Sequence, residues 1–143
     1  MTTGYDNPKL RSYHFAAHDF GTGSNITQVI AVPKTGRDLD NPGTGARGRV
    51  RGVLISAITE DFAGSTTDAG VQVGDGSDAD LYFDSGLVLD ETADIAESVY
   101  LLDDGAAVDI PGGRSTVTIT MVAATGTPTG IANVDVEIEW FDV

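Results

Sequence analysis

Residues 133–140, NVDVEIEW, decide the fold. Val134, Val136, Ile138 and Trp140 alternate with Asp135, Glu137 and Glu139. Successive side chains of a strand point to opposite faces, so this segment has one apolar face and one acidic face. That is the pattern of a strand laid on a core with its other side in water. Working outward, residues 116–124 (TVTITMVAA) repeat the pattern, with Val117, Ile119, Met121 and Ala123 facing in and Thr116, Thr118 and Thr120 facing out. Residues 48–59 (GRVRGVLISAIT) form the longest expected strand. Period two puts Arg47, Arg49 and Arg51 on one of its faces, followed by Val53, Ile55 and Ala57 on one side and Leu54 and Ile58 on the other. Residues 26–32 (ITQVIAV) and 11–15 (RSYHF, with room to extend to Phe20) complete the long strands. Residues 70–74, 80–83, 86–89 and 98–102 are shorter candidates.

Helix signals are nearly absent. Residues 89–100 (LDETADIAESVY) read equally as one helical turn or as a loop. Elsewhere 18 glycines, with Thr and Val, favour strands joined by tight turns. The expected fold is therefore all-β: an antiparallel, jelly-roll-like sandwich of eight or nine strands. Two Gly- and Asp-rich stretches, 38–45 and 61–69, read as its corner crossings. We expect one domain over residues 11–143, preceded by a polar N-terminal arm over residues 1–10.

Charge divides the chain in two. Residues 1–51 hold seven of the eight basic residues and four acids, a net of +3. The remainder holds Arg114 and eighteen acids, a net of −17. A net charge of −14 argues against general nucleic-acid binding and against docking on anionic membranes. No signal-peptide pattern opens the sequence, and no run of about 18 apolar residues exists to span a membrane. Synthesis in a cytoplasm is expected. There is no cysteine, so no disulfide.

Chemistry-bearing patterns are few. His14, His18 and Asp19 form H-x3-H-D, but a metal needs a third converging ligand and the sequence has no other His. They read as ordinary surface histidines. Asp75, Asp78, Asp80 and Asp84 make an oxygen-rich loop that could hold Ca²⁺, although the spacing is not that of an EF-hand. The plainer reading is a solvated turn, and neither cofactor nor metal is expected. No G-x-S-x-G elbow occurs, and Gly21-x-Gly23 and Gly43-x-Gly45 lack the flanks of phosphate loops. The chain does not read as an enzyme.

Three guanidiniums on one strand face repel one another unless acids meet them. Two partners stay open for Arg47, Arg49 and Arg51: the Asp135, Glu137 and Glu139 face, or an acidic partner outside the chain. A carbohydrate-binding sandwich is a further alternative, with Trp140, Tyr82 and Tyr100 as sugar platforms. A small hydrolase on a cupin-like barrel has only the two histidines to offer.

Residues 71–76 (V-x-V-G-D-G), 109–113 (D-I-P-G-G), 116–120 (T-V-T-I-T), 127–132 (T-P-T-G-x-A) and the terminal V-D-V-E-I-E-W strand follow one another in an order that resembles small jelly-roll decoration, or cement, proteins of tailed-bacteriophage capsids. The resemblance covers residues 47–143. It implies a non-enzymatic virion protein, most often a trimer. Such a protein sits on the outer capsid face and clamps neighbouring major capsid subunits. Lys9, Arg11, Arg47, Arg49 and Arg51 would then lie at the capsid or subunit interface. A tail or fibre component remains the alternative location.

Overall fold

The computed structural model describes residues 9–67, 69–85, 98–103, 105 and 108–141. Ten strands run in chain order: β1 (Lys9–Asp19), β2 (Ile26–Ala31), β3 (Pro33–Thr35), β4 (Asp38–Pro42), β5 (Arg47–Thr67), β6 (Gly70–Gly74), β7 (Phe83–Asp84), β8 (Val99–Leu101), β9 (Thr116–Val122) and β10 (Thr125–Phe141). One four-stranded sheet has the order β1-β10-β5-β8, and a second has the order β2-β9-β6-β7. The pairs β1–β10, β2–β9, β5–β8 and β6–β7 are all antiparallel. That nesting is a long hairpin, tipped between β6 and β7 and wound into two sheets, which is the jelly-roll connectivity. The expected all-β antiparallel sandwich is the observed fold. Eight strands form the wrap, and the small β3–β4 hairpin is inserted between β2 and β5.

β10 occupies the centre of its sheet. Val134, Val136, Ile138 and Trp140 are fully buried, while Asp135, Glu137 and Glu139 face outward. β9 supplies Val117, Ile119 and Met121 to the same core from the opposite sheet. Trp140 is the largest fully buried side chain, and its Nε1 donates to Tyr13 Oη at 3.1 Å. Its ring needs the missing side chain of Gly48, since a Cβ there would lie 2.7 Å from Trp140 Cζ3.

β5 is longer than its sequence suggested, and its side-chain parity changes twice. The register with β10 shifts between Glu137 and Ile138, leaving Arg51 as the extra residue of a bulge. It shifts again around Ala57, whose φ is +48°. Val53 and Ile55 therefore face the core before the second shift, and Ile58 and Phe62 after it, while Ala57 turns outward. β1 bulges at the same level of β10: Ala17 has φ +45° and donates its N–H to Asn133 Oδ1 at 2.8 Å. A non-glycine residue in this left-handed region costs about 1–2 kcal/mol, so both bulges are held by their surroundings.

Two loop readings and one strand reading are corrected. Residues 61–67 continue β5 and pair with the start of β10 across Thr67–Thr125 and Ala63–Thr129, so 127–132 is strand as well. Residues 38–42 form β4. In place of a strand over 80–83, turns run to Tyr82, because Asp75 Oδ1 accepts the Ser77 and Asp78 N–H groups at 2.8 Å and locks the chain in a turn. The arm residues 1–8, the strand expected over 86–89 and most of the 89–100 segment lie outside the described residues, whereas Lys9 and Leu10 begin β1.

The close approach at Gly48 is testable. Gly48→Ala should destabilise the fold by about 1–3 kcal/mol, because the added methyl displaces the Trp140 ring. Gly76→Ala, where a Cβ meets nothing within 4 Å, should stay within about 0.5 kcal/mol of wild type. Denaturant titration of the two variants checks this, and equal midpoints would contradict the packing.

Candidate functional site

The register gathers the basic residues at one end of the sandwich. Lys9 lies opposite Trp140 and Arg11 opposite Ile138, while Arg47 lies opposite Phe141 and Arg49 opposite Glu139. Ala31, the last residue of β2, pairs with Thr116 at the start of β9, so the β3–β4 hairpin with Lys34 and Arg37 leaves from that end too. Arg11 Nη1 ties the hairpin to β1 by donating to the Leu39 carbonyl at 2.6 Å. Arg114, just before β9, reaches Asp75 at 3.3 Å. At the far end lie the turn after Asp19, the β5–β10 ribbon and the start of β2. Residues 19–27, 57–67, 69–71 and 121–135, which build that end, include no Lys or Arg.

The five expected interface residues do not form one patch. Lys9 and Arg11 alternate with the outward side chains of β1 and so lie on the core-side face of the sheet, at its edge. Arg47, Arg49 and Arg51 project from the outer face. The acidic partner of the arginine strand is largely internal. Arg51 Nε meets Glu139 Oε1 at 2.8 Å. Arg49 forms a two-pronged pair with Asp109, at 3.1 and 3.2 Å. The guanidiniums of Arg47 and Arg49 lie over the Phe141 ring, at 5.5 and 5.9 Å from its centroid. Half-exposed pairs of this kind are screened by water and contribute little to stability, so they neutralise the face more than they hold the fold.

On the other flank of β10, His14 Nδ1 lies 2.7 Å from Asp135 Oδ1, and Ser12 donates to the same oxygen at 3.2 Å. Tyr100 hydrogen-bonds Glu137. Burial first, and that bond second, push its hydroxyl up to about 12. The acidic stripe is thus answered from both sides by neighbouring strands of its own sheet.

The bulge at Ala17 separates the two histidines. His14 stays on the outer face, whereas His18 turns in against Phe20, ring centroids 4.5 Å apart, and burial lowers its pKa. They do not converge on a metal. Nor do the four aspartates. Backbone donors from Ser77 and Asp78, aided by Arg114, hold Asp75 below the usual carboxylate range. Asp80 is raised by its hydrogen bond with Asp78. Asp84 sits apart, its N–H bonded to Asp103 Oδ1 at 3.0 Å. Among the described residues no three His, Asp or Glu side chains are grouped to hold a metal ion. Trp140 and Tyr82 are 0% and 2% exposed, so two of the three aromatics proposed as sugar platforms are core.

Sequence reasoning missed a groove of about 490 Å³ at the open side of the sandwich, between the edge strands β1 and β2. Arg11, Tyr13 and Phe15 line it from β1, Gln28 and Ile30 from β2, and Leu39 from the hairpin. The only available signal was ITQVIA itself, a strand without a charge in a chain that is 21% charged.

Fold and site together define a jelly-roll domain with a neutralised sheet face, a basic end and an open edge. No family model and no curated protein matches the chain. Among solved structures it is similar to a chain of the Cyanophage Pam1 capsid asymmetric unit, at 20% identity. That match covers 97% of this chain and 89% of the other, with a TM-score of 0.41. A likeness of that size carries no assignment. No helix among the described residues is long and apolar enough to cross a membrane.

The Tyr100–Glu137 bond gives a pH test. A raised phenol pKa favours the protonated form in the fold, so its stabilisation is present below pH about 10 and is lost as pH rises towards about 12. Ultraviolet titration should show one phenolate step near pH 12 that Tyr100→Phe removes and Glu137→Gln lowers. An unchanged step in Glu137→Gln would show that the bond is not made.

Proposed function

We propose that this chain is a non-enzymatic virion structural protein that seats on the outer face of a bacteriophage capsid and ties neighbouring major capsid subunits together. The observation that carries the reading is the basic end. Seven basic residues from three separate stretches of sequence meet at one end of the jelly roll, several of them paired with acids there (Arg11 with Asp40, Arg49 with Asp109, Arg51 with Glu139), while the far end carries acids without Lys or Arg. A charge dipole along the body orients an approaching molecule and favours one docking pose. The jelly-roll connectivity is the fold that the resemblance to capsid decoration proteins implies. The basic end would face the lattice and the acidic far end would face solvent. Oligomeric copies would turn one weak contact per chain into firm attachment by engaging several subunits at once.

Co-sedimentation with the cognate capsid tests the proposal. Wild type should travel with capsids, and binding should weaken as salt rises. Lys9→Glu with Arg47→Glu should lower capsid affinity about tenfold or more while leaving the thermal midpoint near wild type. Absence of the protein from the capsid fraction at low salt would sink the capsid reading. Full occupancy by the charge-reversed variant would show that another surface docks.

A further inference from the structure

The two sheets have four edge strands among the described residues, and three of them are protected against pairing. β7 has two residues and β8 three, too short to template another strand. β1 is long, but it is broken by the Ala17 bulge and carries Lys9, Arg11, His14, His18 and Asp19. β2 has none of these devices. Its six residues hold no charge, no proline and no glycine, and its register with β9 runs from Ile26–Met121 to Ala31–Thr116 without a shift. Ile26 and Val29 are 48% and 61% exposed. A straight, uncharged, partly apolar edge is what strand addition requires.

We propose that β2 is a self-association edge: two copies pair β2 with β2 antiparallel about a two-fold axis at Gln28, joining two four-stranded sheets into one. The first reason is charge. Whole chains of net charge −14 repel, and an edge that brings no charge of its own adds nothing to that repulsion; β2 contributes none. The second reason is self-complementarity. Residues facing each other in an antiparallel pair share a face of the sheet, so a two-fold axis must fall on a residue of the strand. With the axis at Gln28, Ile26 meets Ile30 of the other copy on the core side, and Thr27 meets Val29 on the outer side. The two Gln28 amides meet at the axis. Pairs of β-branched residues are the favourable cross-strand pairs. Both large exposed apolar residues of β2, Ile26 and Val29, gain a partner. The axis also keeps both β1–β2 grooves on the same side of the joined sheet, opening toward each other. This inference stands whether or not a capsid is the partner.

Sedimentation velocity of the full chain over a dilution series tests it. Wild type should pass reversibly from dimer to monomer, and added salt should strengthen the dimer by screening the acidic bodies. Val29→Lys should weaken association about tenfold or more. Adding Thr27→Glu to Val29→Lys should restore it, because the introduced carboxylate of one copy then faces the introduced ammonium of the other, twice across the axis. A thermal midpoint of Val29→Lys near wild type shows that the single variant folds. A wild type that stays monomeric at every concentration would overturn the proposal. So would a dimer indifferent to Val29→Lys, or a double variant as weak as the single one.

Discussion

Everything in this structure depends on the two-sidedness of β10. Its apolar face supplies Val134, Val136, Ile138 and Trp140 to the core, and that burial leaves three carboxylates in a row on the other side. Like charges two residues apart on one strand repel, and polar side chains on the same face of the sheet answer them, from the flanking strands β1 and β5 and from β8 beyond β5. β5 answers with Arg51, β1 with His14 and Ser12, and β8 with Tyr100. The positions of the polar residues on three neighbouring strands follow from that one requirement. So does the bulge at Arg51, which sets the β5 register for the Glu139 pair.

The split charge of the sequence becomes a spatial dipole only because of the jelly-roll wrap. Basic residues at the start of β1, in the β3–β4 hairpin and at the start of β5 are separated along the chain. The antiparallel nesting returns all three to the same end of the sandwich. The arginine strand, for which an internal and an outside acidic partner both stood open, is mostly committed within the chain, Arg51 to Glu139 of the same sheet and Arg49 to Asp109 before β9. What the dipole retains is orientation, at the end of the molecule rather than on its face.

Much of the fold was legible because it rests on period two. Residues 133–140 sit where alternation placed them, and so do Val117, Ile119 and Met121, but the second strand ends at Val122, Thr120 is buried rather than outward, and Ala124 is buried in place of Ala123. The β5 parity changes were not legible, since Ala57 and Ala17 carry no glycine-like signature of a left-handed backbone and their bulges are imposed by neighbours on both sides of β10. The β5–β10 ribbon was hidden for a related reason: Gly- and Thr-rich residues read as loop when no core face marks them, yet hydroxyl and backbone bonds such as Thr129 Oγ1 to the Asp61 carbonyl, at 2.8 Å, hold them as strand. At the site, the Glu139 partner of the arginine strand followed from facing charges, but the separation of Arg11 from Arg47, Arg49 and Arg51 onto opposite sheet faces needed the register. The open edge was written in ITQVIA as an absence of charge, a signal with meaning only once β2 is known to end a sheet.

A long strand without charge at the border of so acidic a body is therefore the feature that most directly links this fold to assembly. Amide hydrogen exchange of the full chain, measured under dilute and concentrated conditions, tests that link residue by residue. The expected result is that the amides of Ile26–Ala31 that point away from β9 slow with concentration while those of β1 do not. Association accompanied by unchanged exchange along β2, with protection gained on another surface, would contradict it.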